Sequence, residues 1–540
     1  MKSPPQSALL DALALTGLGG AALLSCYIYE YKMIGALIPT LDDTFIHLRF
    51  AANIAAGHGF AFNPGQPIPG STSPLWVLLL TPFALGPKPF LLTVSLILSS
   101  LSYLAASLLA WRLALKLGLP RALALLGGAL ALTNGRLLWA GMSGMETDLF
   151  AGLCLLAVLL YLRELQAPPG RMTWKTGALL GIATQVRPEG YMFFIGLVLH
   201  YLLLRGQREK SFRPKTLLRA LPAGALLCYA LLIAPYIIFS LATIAYPFPS
   251  TYLAKGPEFA HFREKYLHWT LVYFWLDNPA AAILFPLAVV RVGLKAWKDK
   301  LDFISSGEGL VAGWTLGYLV VSVLLTPMPF HFCRYQLPVL PFALLLVLLF
   351  AKDLLGWAQT RAKAPSSPPR WKRELPLALL ILVLLVPQLL ALRRWPAVTA
   401  LCAKNLRDMH VTVGHWLGRA APVGTRVGTM DIGAIGFYSE REIVDLNGLV
   451  TPAVIPYVRR MGFTRARSQS LLAFLWQVQP EYLAIFPEAY PGLTDDTRIF
   501  APLLQVRLPD NQIVEADWMV VYQCLWYKGK PGSAETKTSP

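Results

Sequence analysis

The sequence predicts a polytopic α-helical membrane protein, with about eleven transmembrane helices followed by a C-terminal soluble α/β domain. Three observations predict it. Of 540 residues, 55% are hydrophobic and only 14% are charged, against about 25% charged in an ordinary soluble domain. Apolar runs near the ~20 residues needed to cross a bilayer recur from residue 8 to residue 395. Beyond residue 400 the runs shorten, charges balance, and helix-like and strand-like patterns alternate.

The formal net charge of +18 sits almost entirely in the apolar part. Residues 1–395 carry 34 Lys and Arg against 17 Asp and Glu, whereas residues 396–540 carry 14 against 13. Of those 34 basic residues, 22 fall in five segments between apolar runs: 112–121, 163–175, 205–219, 291–302 and 352–373. Such clusters mark cytoplasmic loops, so the charge is not a nucleic-acid footprint and no nucleic-acid partner is expected. The loops at 30–74, 142–148, 187–189, 246–268 and 327–333 then lie outside, with everything after residue 395, and the N-terminus is cytoplasmic.

Taken in order, 8–29 reads as a retained first span. It is long for a signal sequence and only Lys2 precedes it. Residues 75–86 are cut by Pro82, Gly86 and Pro87 and only dip into the membrane. Spans follow at 90–111, 122–141 and 147–162. The runs 176–187 and 190–204 are short for a full crossing and suggest a broken hairpin lining a cavity. Spans at 220–245, 269–290, 310–326, 334–350 and 375–392 complete the set, with a flexible connection at 361–373. The membrane domain is thus 1–395, with its first outer loop at 30–74. An extracytoplasmic α/β domain spans 396–527, and 528–540 form a disordered tail. Within the α/β domain, 406–422 and 468–479 read as helices, and 425–431, 443–446, 481–486 and 518–527 as strands. VGTMDIGAIGF (427–437) lacks the spacing of a dinucleotide turn and the P-loop lysine, so it reads as a structural tight turn. Cys402 and Cys524 are the only cysteines of this domain, and a disulfide between them would tie its ends together.

Chemistry concentrates in the first outer loop, DDTFIHLRFAANIAAGHGFAFNPGQPIPGSTSPLW (42–76). A helix should start at the two acids, with Thr40 three residues before Asp43 in a capping arrangement, and stop at Gly57-His58-Gly59. Asp43 and His47 are four apart, and Asp42 and Arg49 seven, so each pair can share a helix face. Two adjacent carboxylates in so charge-poor a protein point to catalysis rather than capping alone. Further polar groups recur in the predicted outer loops: Glu146, Arg187 with Glu189, Tyr252 with Lys255, and His331 with Arg334. Charged residues at membrane depth usually mark a substrate path or pair with one another. A lipid-linked sugar or ion-coupled transporter is the alternative reading, but the inverted repeats it would need are absent from the sequence.

The residues Asp42, Asp43, Arg49, Ala51, Asn53, Gly57, Gly59, Asn63, Pro64, Gly65, Ser73, Pro74, Leu75 and Trp76 resemble the first outer loop of GT-C-type integral membrane glycosyltransferases. The likeness is to the bacterial branch that includes the mycobacterial terminal arabinofuranosyltransferases. RPEG (187–190), PSTYLAK (249–255), FCRYQLP (332–338) and DIGAIGFYS (431–439) with IVDLNGL (443–449) resemble that family in patches. The resemblance implies a polyprenyl-phosphate-linked sugar donor, a glycan or glycolipid acceptor, and inverting transfer at the outer face of a bacterial inner membrane. It implies Asp42 as general base, Asp43 as its support, and Arg187, Lys255 and Arg334 as groups for the carrier phosphate. No cofactor is predicted, although some related enzymes use a divalent cation. Ser71 stands where the family more usually has an aromatic residue.

Overall fold

In the computed structural model, residues 6–255, 262–361, 370–459 and 464–526 are described. The expected tail at 528–540 lies outside them, as do most of the connection at 361–373 and the Lys255 side chain. The apolar runs form helices because an unbroken apolar segment in lipid must satisfy its backbone hydrogen bonds internally. Among the described residues seven helices are long and apolar enough to cross a membrane, or eight if the bent pair Arg121–Leu132 and Gly135–Gly141 is one span.

The difference from the expected eleven has a cause in length and charge. Trp174–Val186 has 13 residues, which at about 1.5 Å each reach roughly 20 Å against a hydrocarbon core of about 30 Å. Thr147–Gln166 and Glu189–Arg208 carry charged residues in their first and last turns. The expected break between the short helices is present, at Arg187-Pro188. A second break, within 122–141, was not expected: the two pieces bend by 59°. Asn134 starts the second piece, its side chain accepting the amides of Arg136 and Leu137, a cap that lets a new helix begin inside an apolar run. The last apolar run ends with its helix at Leu392, and after a turn at Arg393 and Arg394 further helical segments run from Trp395 to Ala420.

Two compact units make up the chain. The first comprises Met1–Lys32, Ser95–Pro235 and Phe259–Thr399 and is helical. The second comprises Met33–Val94, Tyr236–Glu258 and Ala400–Pro540, so the first outer loop shares a unit with the C-terminal sheet. That sheet has five strands: β1 (Arg426–Thr429), β2 (Glu442–Asp445), β3 (Tyr482–Ile485), β4 (Phe500–Arg507) and β5 (Trp518–Cys524), in the order β2-β1-β3-β5-β4. β2, β1 and β3 are parallel, with Val427 opposite both Ile443 and Tyr482; β5 and β4 add antiparallel. Strand β4 was not expected. Pro502 lies in it beside a register shift before Leu504, which suits an edge strand, where a missing amide donor is tolerated.

No disulfide joins Cys402 to Cys524, contrary to the expectation. Cys402 is buried on the helix Trp395–Leu406, and Cys524 is buried at the end of β5 opposite Phe500. Burial pushes the Cys524 thiol up to about 12.

Candidate active site

In the second unit the helix Asp43–Ala55 begins at the paired acids, as the sequence predicts. The expected Thr40 cap does not form: its Oγ1 is buried and makes no hydrogen bond. Asp42 has helical backbone angles and its side chain makes no cap bond to the helix. Its carboxylate reaches the loop after β1: Oδ2 accepts the amide of Gly433 at 2.9 Å and Oδ1 that of Ala434 at 2.8 Å. These amides open the helix Gly433–Ser439, so the segment expected to be a tight turn is a strand-to-helix turn, and it serves as the receptor for a loop acid.

Three further side chains tie this unit together. Arg49 is buried, and its guanidinium spends its donors on main-chain carbonyls: Nε on Phe62 at 2.8 Å, Nη2 on Arg441 at 2.7 Å, and Nη1 on Gly436. Asn63 pairs with β2 as a strand residue would, donating to Ile443 O and accepting Ile443 N, both at 2.9 Å. Lys88 donates to Phe437 O at 2.8 Å and pairs with Glu440 at 2.6 Å. Beside this framework His47 is buried with Nδ1 at 3.1 Å from Ser71 Oγ. Tyr252 is exposed.

Two more titratable groups complete the surroundings of Asp42. His410 is buried on a π-helical turn, Arg407–Val411, beyond the last apolar run, and its Nε2 lies 2.7 Å from Asp431 Oδ2. Burial pushes the Asp42 carboxyl up to about 6; His410 counteracts this, Asp431 adds to it, the Ala434 amide counteracts it and Asp43 adds to it. Burial also opposes charge on His410, but its bond to Asp431 and the charges of Asp42 and Asp431 outweigh burial and hold it above the usual imidazole range. A carboxylate poised near neutrality is suited to general-base work.

The first unit gathers a separate cluster. Arg187, at the helix break, binds Glu146 at 3.0 Å, Glu189 at 3.1 Å and Thr147 Oγ1 at 3.2 Å. Arg187 and Arg334 lie over the Tyr335 ring, at 5.4 and 5.3 Å from its centroid, and both are buried. Arg334 follows three residues with left-handed backbone, His331, Phe332 and Cys333, a strained run for non-glycine residues. Of the residues singled out in the sequence, Glu146 and Glu189 are thus ion-paired to Arg187, and Arg334 shares the Tyr335 ring with it.

It missed Arg136 with Asp277, a buried pair at 2.7 Å that also engages Phe332 O at 3.2 Å. The available signal was a lone arginine inside an apolar run. It also missed His410 with Asp431, whose only trace was a histidine 21 residues before DIGAIG. Among the described residues no group of three or more His, Cys, Asp or Glu side chains is arranged to hold a metal ion.

Solved structures share this architecture. The Cupriavidus metallidurans ArnT bound to undecaprenyl phosphate superposes with a TM-score of 0.56 at 13% identity, over 94% of this chain and 98% of that one. The fold is GT-C. The Archaeoglobus fulgidus oligosaccharyltransferase tethered to an acceptor peptide gives a TM-score of 0.56 at 10% identity, over 86% of this chain and 68% of that one. At these identities the likeness is one of GT-C fold. Residues 403–536 match a family model described as a domain of unknown function (DUF8728), and no curated protein matches the chain.

Proposed function

We propose that this protein is a glycosyltransferase that moves a sugar from a polyprenyl-phosphate carrier to a hydroxyl of an envelope glycan, glycolipid or protein at the outer face of a bacterial inner membrane. The observation that carries the reading is Asp42: a first-loop carboxylate in a GT-C fold, oriented by two amides and poised near neutral pH. The ArnT and oligosaccharyltransferase neighbours, one bound to undecaprenyl phosphate and one tethered to an acceptor peptide, support a lipid-linked donor and a separate acceptor. The first-loop likeness to mycobacterial terminal arabinofuranosyltransferases supports inverting transfer of a hexosyl or pentosyl group.

In this reading Asp42 removes the acceptor's proton as its oxygen bonds to the anomeric carbon. The bond from that carbon to the carrier phosphate breaks, and the phosphate departs with the electron pair. Asp43 supports the base or binds the acceptor. The family resemblance implies Arg187, Arg334 and Lys255 as groups for the carrier phosphate, the role preorganised cations play toward a departing phosphate. The 1–395 segment is the catalytic membrane domain, the N-terminus is cytoplasmic, and residues 396–527 lie outside the cytoplasm.

The test is replacement of Asp42 and Asp43, singly, by Asn in a deletion strain, with the envelope glycans and glycolipids profiled. The missing sugar names the reaction. D42N should abolish its restoration while the protein still accumulates in membranes, whereas restored transfer by D42N would remove Asp42 from the mechanism.

A further inference from the structure

Resting on the reading of Asp42 as base, we propose that His410, braced by Asp431, is a positioning residue that keeps Asp42 ionised. The C-terminal domain would then supply part of the catalytic electrostatics as well as a seat for the loop. The geometry is specific. The Asp431-Ile432-Gly433-Ala434 turn carries both halves of the arrangement: Asp431 holds His410 Nε2 at 2.7 Å, and two residues later the Gly433 and Ala434 amides hold Asp42. One short turn therefore fixes the histidine and the base relative to the same backbone.

The bond requires Nε2 to carry a proton, because an ionised carboxylate only accepts. Nδ1 is buried and makes no hydrogen bond. The π-turn matters as well, since an extra residue in a helical turn redirects a side chain, and such turns recur at functional sites.

Other charges around His410 are accounted for. Asp408, on the same turn, is engaged by Lys404 and Arg407, both at 2.6 Å. Strand β4, which packs against the turn, brings Arg507, and that residue is exposed. The helix Gly433–Ser439 brings Tyr438, and Phe486 lies with its ring centroid 6.1 Å from the imidazole. Tyr490 is buried and feels the charge of Asp431. Asp43 acts on Asp42 from the adjacent position. The charges acting on His410 itself are those of Asp42 and Asp431.

With a cationic His410 beside it, Asp42 gives up its proton at lower pH than burial alone would allow. Loss of that cation should leave Asp42 protonated, and idle, over a wider range. The discriminating substitution is H410Q, whose side-chain amide can still donate to Asp431 but carries no charge. The full-length protein is tested in spheroplasts of the deletion strain, whose outer membrane face is open to buffer, with the strain's own carrier-linked sugars labelled by a radioactive glucose pulse.

For H410Q the acid limb of the pH–rate profile should move up by roughly one unit, about a tenfold loss of rate below the limb, with the alkaline rate kept within about twofold. H410R, which restores a charge, should bring the limb back toward the wild type. H410N is read in the same way if H410Q fails to accumulate. A profile for the uncharged variants that overlays the wild type, or is scaled down equally at every pH, overturns the proposal. D42N is run alongside: if it still transfers, the base assignment itself fails; if it is dead while H410Q is unshifted, only the role of His410 falls.

Discussion

Asp42 and Gly433 meet so closely that a methyl group on Gly433 would lie 2.1 Å from the Asp42 carbonyl oxygen and 2.6 Å from Oδ2. Both obstructing atoms belong to one residue, and one of them is backbone, so the clash cannot be relieved by a rotamer change. The glycine is needed here for close approach rather than for its backbone angles. G433A should therefore push the first loop off its seat, costing roughly 1–3 kcal/mol in the way overpacked sites do. The expected result is a lower melting temperature in detergent together with a loss of transfer approaching that of D42N. A G433A protein with wild-type transfer would show that the amide seat is dispensable.

The buried pair of Arg136 and Asp277 sets a different expectation in the first unit. Arg136 is 1% exposed and Asp277 6%, so removal of either charge strands the other in a low-dielectric interior. R136M should cost about 3–5 kcal/mol, whereas the double change R136M/D277L, which removes both charges, should recover most of it. Thermal unfolding of the three proteins in the same detergent measures this. Equal destabilisation by the single and double variants would place the role of Arg136 in its contact with Phe332 O rather than in the ion pair.

The longer membrane spans and most elements of the α/β domain were legible because apolar length and periodicity are side-chain properties written directly in the sequence. The inclusion of the first loop in the unit of the C-terminal sheet was not. Most of the hydrogen bonds that join them run from side chains to backbone: Asp42 to two amides, Arg49 to the carbonyls of Gly436 and Arg441, Asn63 to both groups of Ile443. A backbone amide or carbonyl is the same in every residue type, so only half of each contact leaves a mark in the sequence. Asp42 and Arg49 showed that something would be bound, and could not show that DIGAIG would bind it. For the same reason the sequence did not show that Asp42 leaves its own helix uncapped and finds its donors in a distant turn. Strand β4 escaped because Pro502 and the register shift beside it break the alternation by which strands are read.

The raised carboxyl of Asp42 has a stability consequence of definite sign. Its pKa in the folded protein is about 6, against an ordinary value of 3.8. Between those values the folded chain retains a proton that the unfolded chain has already released, so stability falls as pH rises through this window. At neutral pH the ionised group thus costs the fold on the order of 2–3 kcal/mol. Asn at this position removes that cost but offers one acceptor oxygen to two amides, and an unsatisfied amide costs about 1–3 kcal/mol. The two effects offset each other at pH 7. D42N should therefore melt within a few degrees of the wild type at pH 7 and fall below it as pH is lowered to 5, where the wild-type group is largely protonated and its penalty has shrunk. Transfer should be lost at both values. Melting curves of the two proteins from pH 5 to pH 8 decide the matter. A D42N deficit that is large and constant across that range would mean that Asp42 serves chiefly as a clasp, and the base would then have to be sought at Asp43.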